Sequence, residues 1–305
     1  MIPFDGLFAQ NYDYPLVLGA YDATQPPPGY TAGSTAFEII ADLEQPEFQA
    51  QRARSSPKHQ KMLQTMLAQP KKPLLTDVDK AISPPAMLTS TPPNLHFGWV
   101  CIDAANARLI VAFRGTEFFK DWLDDIDFIP APYAPIPGRG TVHQGFQLVY
   151  YSVRNNVRNL VKAHTAGCKS ILITGHSLGG ALCALAAPDL LNDIAADLAP
   201  IVYTWAEPRV GHPDFVSFYN THVNVSYRIV NFWDVVPHLP PTLAFYEHEG
   251  NELPIDSGFH FSVVKNHSLI TGYLPGIQKW NANHPVLATA HFGKIAATAF
   301  AGKTI

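Results

Sequence analysis

The sequence predicts an α/β fold built on a largely parallel sheet with crossover helices, and three observations carry that expectation. From Ser170 onward, short apolar runs alternate with helical stretches, the order that parallel strands need. Residues 171–181 read Ile-Leu-Ile-Thr-Gly-His-Ser-Leu-Gly-Gly-Ala, an apolar strand running into a Gly-x-Ser-x-Gly turn and then a small-residue helix start. The chain has 305 residues, 47% hydrophobic and 15% charged, enough apolar material for one large core.

Residues 1–20 lack a basic head and a continuous apolar stretch of signal-peptide length. No later stretch approaches the ~18 uninterrupted apolar residues of a membrane span. Localisation stays open between a protein kept in the cell, one exported by a route the sequence does not show, and one written without its leader. Residues 37–69 have the apolar spacing of helices, interrupted near Pro46 and Pro57, with Pro-rich stretches at 26–28 and 84–93 on either side. Strands at 96–102 and 108–113 flank a turn-like 103–106, as a hairpin or as neighbours. A long helix follows over 144–164. Then come strand 170–174, a helix from Leu178 to about Ile194, strand 201–205, a helix near 213–219 and strand 226–230. Residues 243–249 read as one more strand, before a helix-prone tail.

The formal net charge of −4, with no Lys/Arg run that could track a phosphate backbone, argues against nucleic acid as a partner. Cys101, Cys168 and Cys183 form no Cys-x-x-Cys pair, so neither a disulfide framework nor a cysteine zinc site is expected, and all three read as core thiols. Nothing in the sequence fixes an oligomeric state.

Ser177 is the candidate nucleophile. On a sharp strand-to-helix turn its hydroxyl is lifted clear of the sheet edge, while Gly175 and Gly179 let strand and helix approach closely. The helix that follows turns its unpaired N–H groups toward the place where an oxyanion would develop. A serine hydroxyl needs an imidazole to take its proton and an acid to fix that imidazole's tautomer. In such folds both partners follow the serine in the chain. Asp234, in Asn-Phe-Trp-Asp-Val-Val-Pro at 231–237 just after a strand, is the strongest acid candidate, while Asp214 and Asp256 look structural. For the base, His267 stands late in the chain in a loop-to-helix setting. His238, His248 and His260 also follow Asp234, and position alone does not choose among them.

Phe-Arg-Gly-Thr-Glu at 113–117, Val-His-Gln-Gly-Phe at 142–146, Gly-His-Ser-Leu-Gly-Gly at 175–180, the 231–237 segment and Asn266-His267 occur in the order and spacing of the class 3 lipases. The chain resembles that family, the fungal-type triacylglycerol lipases, over about residues 99–274. The resemblance implies an α/β-hydrolase fold, with Ser177 as nucleophile, Asp234 as acid and His267 as base. It further implies that Thr116 and Leu178 supply the oxyanion hole, and that His143 is a structural residue near the site. Residues 1–95 are then an N-terminal helical extension packed on a catalytic core of residues 96–305, in one structural domain. Phe118, Phe119, Trp122, Leu123 and Ile126 fall at helical spacing opposite Lys120, Asp121, Asp124 and Asp125, an amphipathic helix where similar lipases carry a lid. A lid near 117–130 would cover the acyl pocket in water and open at a lipid–water interface; a fixed helix packed on the core fits the same pattern. Arg114 is expected to anchor loops through Asp124, Asp125 or Asp127.

The expected activity is a serine ester hydrolase on lipid esters, foremost triacylglycerols, needing neither metal nor organic cofactor. Phospholipase A1 and feruloyl or aryl esterase are the near alternatives, since the motifs fix the reaction and leave the acyl and alcohol pockets open. A binding or signalling protein that keeps the hydrolase fold without turnover is the alternative of another class.

Overall fold

The computed structural model describes residues 4–21, 35–38, 46–67, 96–116 and 127–285. Its strands in chain order are β1 (Thr35–Glu38), β2 (His96–Asp103), β3 (Arg108–Phe113), β4 (Pro130–Pro132), β5 (Thr141–His143), β6 (Ser170–His176), β7 (Ala199–Trp205), β8 (Ser226–Asn231) and β9 (Asn251–Ile255). The α-helices are α1 (Gly6–Phe8), α2 (Tyr14–Tyr21), α3 (Pro46–Arg54), α4 (Pro57–Leu67), α5 (Gln144–Tyr151), α6 (Arg154–His164), α7 (Leu178–Leu191), α8 (Pro213–His222), α9 (Val263–His267) and α10 (Leu274–Asn283).

Among the described residues the main sheet runs β1-β2-β3-β6-β7-β8-β9, and β4 and β5 form a separate ribbon. The first two pairings are antiparallel; from β3 to β9 every pairing is parallel. Alternation along the strands separates two cores. Leu109, Val111 and Phe113 of β3 face one side with Ile171 and Ile173 of β6, against Val149, Val157, Leu182 and Leu185 of α5, α6 and α7. Ile110, Ala112 and Leu172 face the other side, under Phe8, Leu16, Val17 and Ile277 from the N-terminal helices and α10. The sheet thus lies between two helical layers, with apolar side chains worth about 1.5–3 kcal/mol each when fully buried.

The N-terminal segment is fastened by polar contacts as well as by packing. The Asp5 carboxylate accepts from the Phe8 amide at 2.8 Å and caps α1. The Tyr12 hydroxyl donates to Asp103, and the indole N–H of Trp205 donates to Asp13 at 2.6 Å.

Three elements and one cysteine differ from the sequence expectation. Residues 35–38, within and beside the stretch spaced like a helix, form β1, because Ala36 and Phe37 pair with Trp99 and Gly98 and tertiary pairing overrides local spacing. The long helix over 144–164 breaks into α5 and α6. There the Ser152 hydroxyl turns back to the Val149 carbonyl at 2.6 Å, and Val153 leaves the helical region with φ −126° and ψ −10°. The last strand is β9, not 243–249, where Thr242–Ala244 is a 3-10 turn ended by Phe245 at φ 62°. Cys101 and Cys183 are buried free thiols, whereas Cys168 is partly exposed rather than in the core. No helix among the described residues is long and apolar enough to cross a membrane.

Candidate active site

The carboxyl ends of β6 and β8 gather the predicted residues. Ser177 follows β6 directly with φ 58° and ψ −125°, a backbone conformation that L-residues rarely adopt. It is held there by its amide, which donates to the Trp205 carbonyl at 2.8 Å. The turn can be this tight only with glycine on both sides. A Cβ at Gly175 would lie 2.5 Å from the Gly179 backbone, and one at Gly179 would lie 2.6 Å from the Phe113 carbonyl oxygen. Ser177 is buried, and its Oγ makes no hydrogen bond among the described residues.

Gly115 brings the loop after β3 against this turn. A Cβ there would stand 3.1 Å from the Ser177 Cβ, which sets the neighbouring Thr116, itself buried, beside the serine. Leu178 is the first residue of α7, so its amide lies at the open N-terminal end of that helix.

Asp234 sits in the loop after β8, fully surrounded. Its Oδ2 accepts from His267 Nδ1 at 2.8 Å and from the Tyr273 hydroxyl at 2.7 Å, and its Oδ1 accepts from the Val236 amide at 3.1 Å. Burial alone would raise this carboxyl. The neighbouring imidazole and the three donors outweigh it and hold the group below its ordinary value. With Nδ1 of His267 bound to a carboxylate, Nε2 is the nitrogen left to act as base. His267 also packs against the residue preceding the serine, its ring 4.6 Å from that of His176. A second clamp joins the loops that carry Asp234 and His267: Asn231 Nδ2 donates to the Asn266 carbonyl at 2.8 Å, while the Asn266 side chain holds both backbone groups of His260 at 3.1 and 2.9 Å.

Asp214 accepts from the Thr141 and Phe215 amides near the start of α8, and Asp256 is an exposed partner of Lys279 and Trp233. His248 bonds the Pro237 carbonyl at 2.7 Å, and His238 is exposed. His143 caps α5, its Nδ1 accepting from the Gly145 and Phe146 amides at 3.1 and 3.3 Å. Burial, then the nearby His59, press its pKa down to about 3, which suits a neutral acceptor. The Arg114 guanidinium lies over the rings of Phe97 and Tyr21 at 5.7 and 6.0 Å, and Asp127 pairs with Lys58 at 3.1 Å. Asp124, Asp125 and the residues of the expected lid, Phe118, Phe119, Trp122, Leu123 and Ile126, lie outside the described residues. Among the described residues no group of three His, Cys, Asp or Glu side chains could hold a metal ion.

Sequence reasoning assigned no role to Tyr273, whose hydroxyl reaches Asp234 across 39 positions. It stands at the end of the segment that holds His267, but no local pattern joins it to the acid.

A strand-turn-helix serine with acid and imidazole on later loops at the same edge of a parallel sheet is the α/β-hydrolase architecture. Residues 110–244 match the family model described as Lipase (class 3). The chain is 36% identical over 149 residues to a lipase of Rhizomucor miehei, covering 47% of this chain and 40% of that protein. It is 32% identical over 163 residues to a secreted mono- and diacylglycerol lipase of Fusarium solani, covering 52% and 47%. A rice protein, phospholipase A1-II 1, is 34% identical over 172 residues, covering 49% and 43%. Each alignment thus spans less than half of the relative's own length.

Proposed function

We propose that this chain is a serine hydrolase of lipid carboxylic esters, foremost acylglycerols, working through an acyl-enzyme on Ser177. Nε2 of His267 takes the hydroxyl proton as Oγ attacks the ester carbonyl, and Asp234 stabilises the resulting imidazolium. The backbone N–H groups of Thr116 and Leu178 hold the tetrahedral oxyanion, a contribution of about 10²–10³ in turnover per donor. Collapse breaks the ester C–O bond, and the imidazolium gives its proton to the leaving alcohol. Water then attacks the acyl-serine with the same base, freeing the fatty acid and restoring the serine hydroxyl.

The observation that carries this reading is the buried 2.8 Å contact between Asp234 and His267 beside the strained turn of Ser177. A lipid surface as the place of work is supported by an aromatic ladder on the acid and base loops, three of whose four rings are exposed. Phe232, Trp233, Phe259 and Phe261 stand ring against ring at 4.9, 5.0 and 5.0 Å, and Phe261 is 99% exposed. The similarity to a phospholipase A1 favours a second reading, the same chemistry on a glycerophospholipid. Side-by-side hydrolysis of triacylglycerol, phosphatidylcholine and short aryl esters, with Ser177→Ala as blank, tests it. Release of fatty acid from triacylglycerol above the blank is expected. Turnover of phosphatidylcholine alone would move the assignment to the second reading, and turnover of aryl esters alone would overturn the lipid substrate.

A further inference from the structure

Tyr21 ends α2, in the N-terminal segment that lies outside the family match, yet it reaches the catalytic edge. Its hydroxyl is 2.7 Å from Nδ1 of His176, the residue immediately before Ser177. Nε2 of the same ring is 2.9 Å from the backbone carbonyl oxygen of His267. The direction of both bonds follows from chemistry alone. A carbonyl oxygen only accepts, so Nε2 carries the proton; a neutral imidazole has one donor, so Nδ1 accepts and the Tyr21 hydroxyl donates. The ring is buried at 5% exposure, and burial together with the adjacent His267 keeps it neutral. A Cβ on Gly115 would clash with that same Tyr21 hydroxyl, so α2 also packs on the loop that carries Thr116.

We propose that Tyr21 and His176 are positioning residues for the hydrolytic reaction. Tyr21 fixes the tautomer of His176, and His176 in turn anchors the His267 backbone beside the Ser177 turn. This rests on the assignment of Ser177, Asp234 and His267 above. It gives the N-terminal segment a part in turnover, beyond covering one face of the sheet. Neither residue touches the reacting atoms, so both act through the placement of His267, where small displacements are costly.

The test uses the full chain with p-nitrophenyl butyrate, counting active sites by saturation with a fluorophosphonate. Tyr21→Phe should lower kcat per labelled site about tenfold, with KM within about twofold. His176→Ala should lower it about a hundredfold, and His176→Gln, whose amide N–H can reach the same carbonyl, should recover part of that loss. Wild-type kcat per labelled site in Tyr21→Phe would overturn the proposal. So would a loss confined to the number of labelled sites, which is the mark of misfolding, or a glutamine variant no better than alanine. A wild-type protein that takes no label and cleaves no ester would instead overturn the Ser177 assignment, and this inference with it.

Discussion

Ser177 holds a backbone that its own side chain does nothing to favour, so the neighbouring glycines and the amide bond to Trp205 must maintain it. Gly179→Ala would press a methyl group on the Phe113 carbonyl, a backbone atom that cannot swing aside. A destabilisation of about 1–3 kcal/mol is expected, read as a lower thermal midpoint; an unchanged midpoint would contradict this packing. At Asp234 the argument is electrostatic. A carboxyl held below its unfolded value contributes stability above the ordinary carboxylate pKa, and that contribution is lost as pH falls through the folded value. Tyr273→Phe removes one donor to this carboxylate. The stability gap between wild type and variant should therefore be full at neutral pH and narrow in acid, measured by urea unfolding from pH 7 down to about 3. A gap that stays constant would show that the hydroxyl does not hold the charge. Ser177 and Asp234 stood out as candidates because each stands in a short local pattern, whereas His267 was singled out among several histidines only through the family resemblance. Tyr273, His176 and Tyr21 did not stand out, because their meaning lies in partners far along the chain.

Helix α7 is joined to α5 and α6 through one buried carboxylate. Asp189 accepts from the Tyr150 hydroxyl at 2.6 Å, from Arg154 twice at 2.7 Å and from Arg158 at 2.9 Å. Asp189→Ala leaves those donors without their charge partner and should cost about 3–5 kcal/mol, far more than a surface ion pair. Chemical denaturation measures it, and a loss under about 1 kcal/mol would mean that the arginines find water instead. At this scale the alternation of β6, α7, β7, α8 and β8 was readable from apolar periodicity alone. The break between α5 and α6 was not, since it depends on where one serine hydroxyl turns. Nor was β9 placed correctly: Leu243 and Phe245 have the pattern of a strand, but both are exposed, at 92% and 72%.

Across the whole molecule, the N-terminal segment packs its helices on one face of the sheet and sets Asp13 beneath it. Burial raises that carboxyl to about 7, opposed by the Trp205 and Thr174 side chains and by Arg108. A raised acid contributes stability that is full below its unfolded pKa of 3.8 and is lost as pH rises through the folded value. Asp13→Asn keeps the acceptor for Trp205 and cannot ionise. Wild type should therefore lose stability relative to this variant as pH rises from 4 to 7 and then run parallel to it, as thermal midpoints will show. A difference that does not vary with pH would contradict a protonated Asp13. The global fold class was readable from order and periodicity, whereas the contribution of this segment was not, because its polar anchors lie on distant strands. The assignment of Ser177 as nucleophile meets its most direct test in a covalent adduct: react the protein with a fluorophosphonate, digest it and locate the label by mass spectrometry. One adduct on Ser177, absent from Ser177→Ala and formed at least a hundredfold more slowly in His267→Ala, is the expected result. An adduct elsewhere, or labelling that survives in Ser177→Ala, would contradict it.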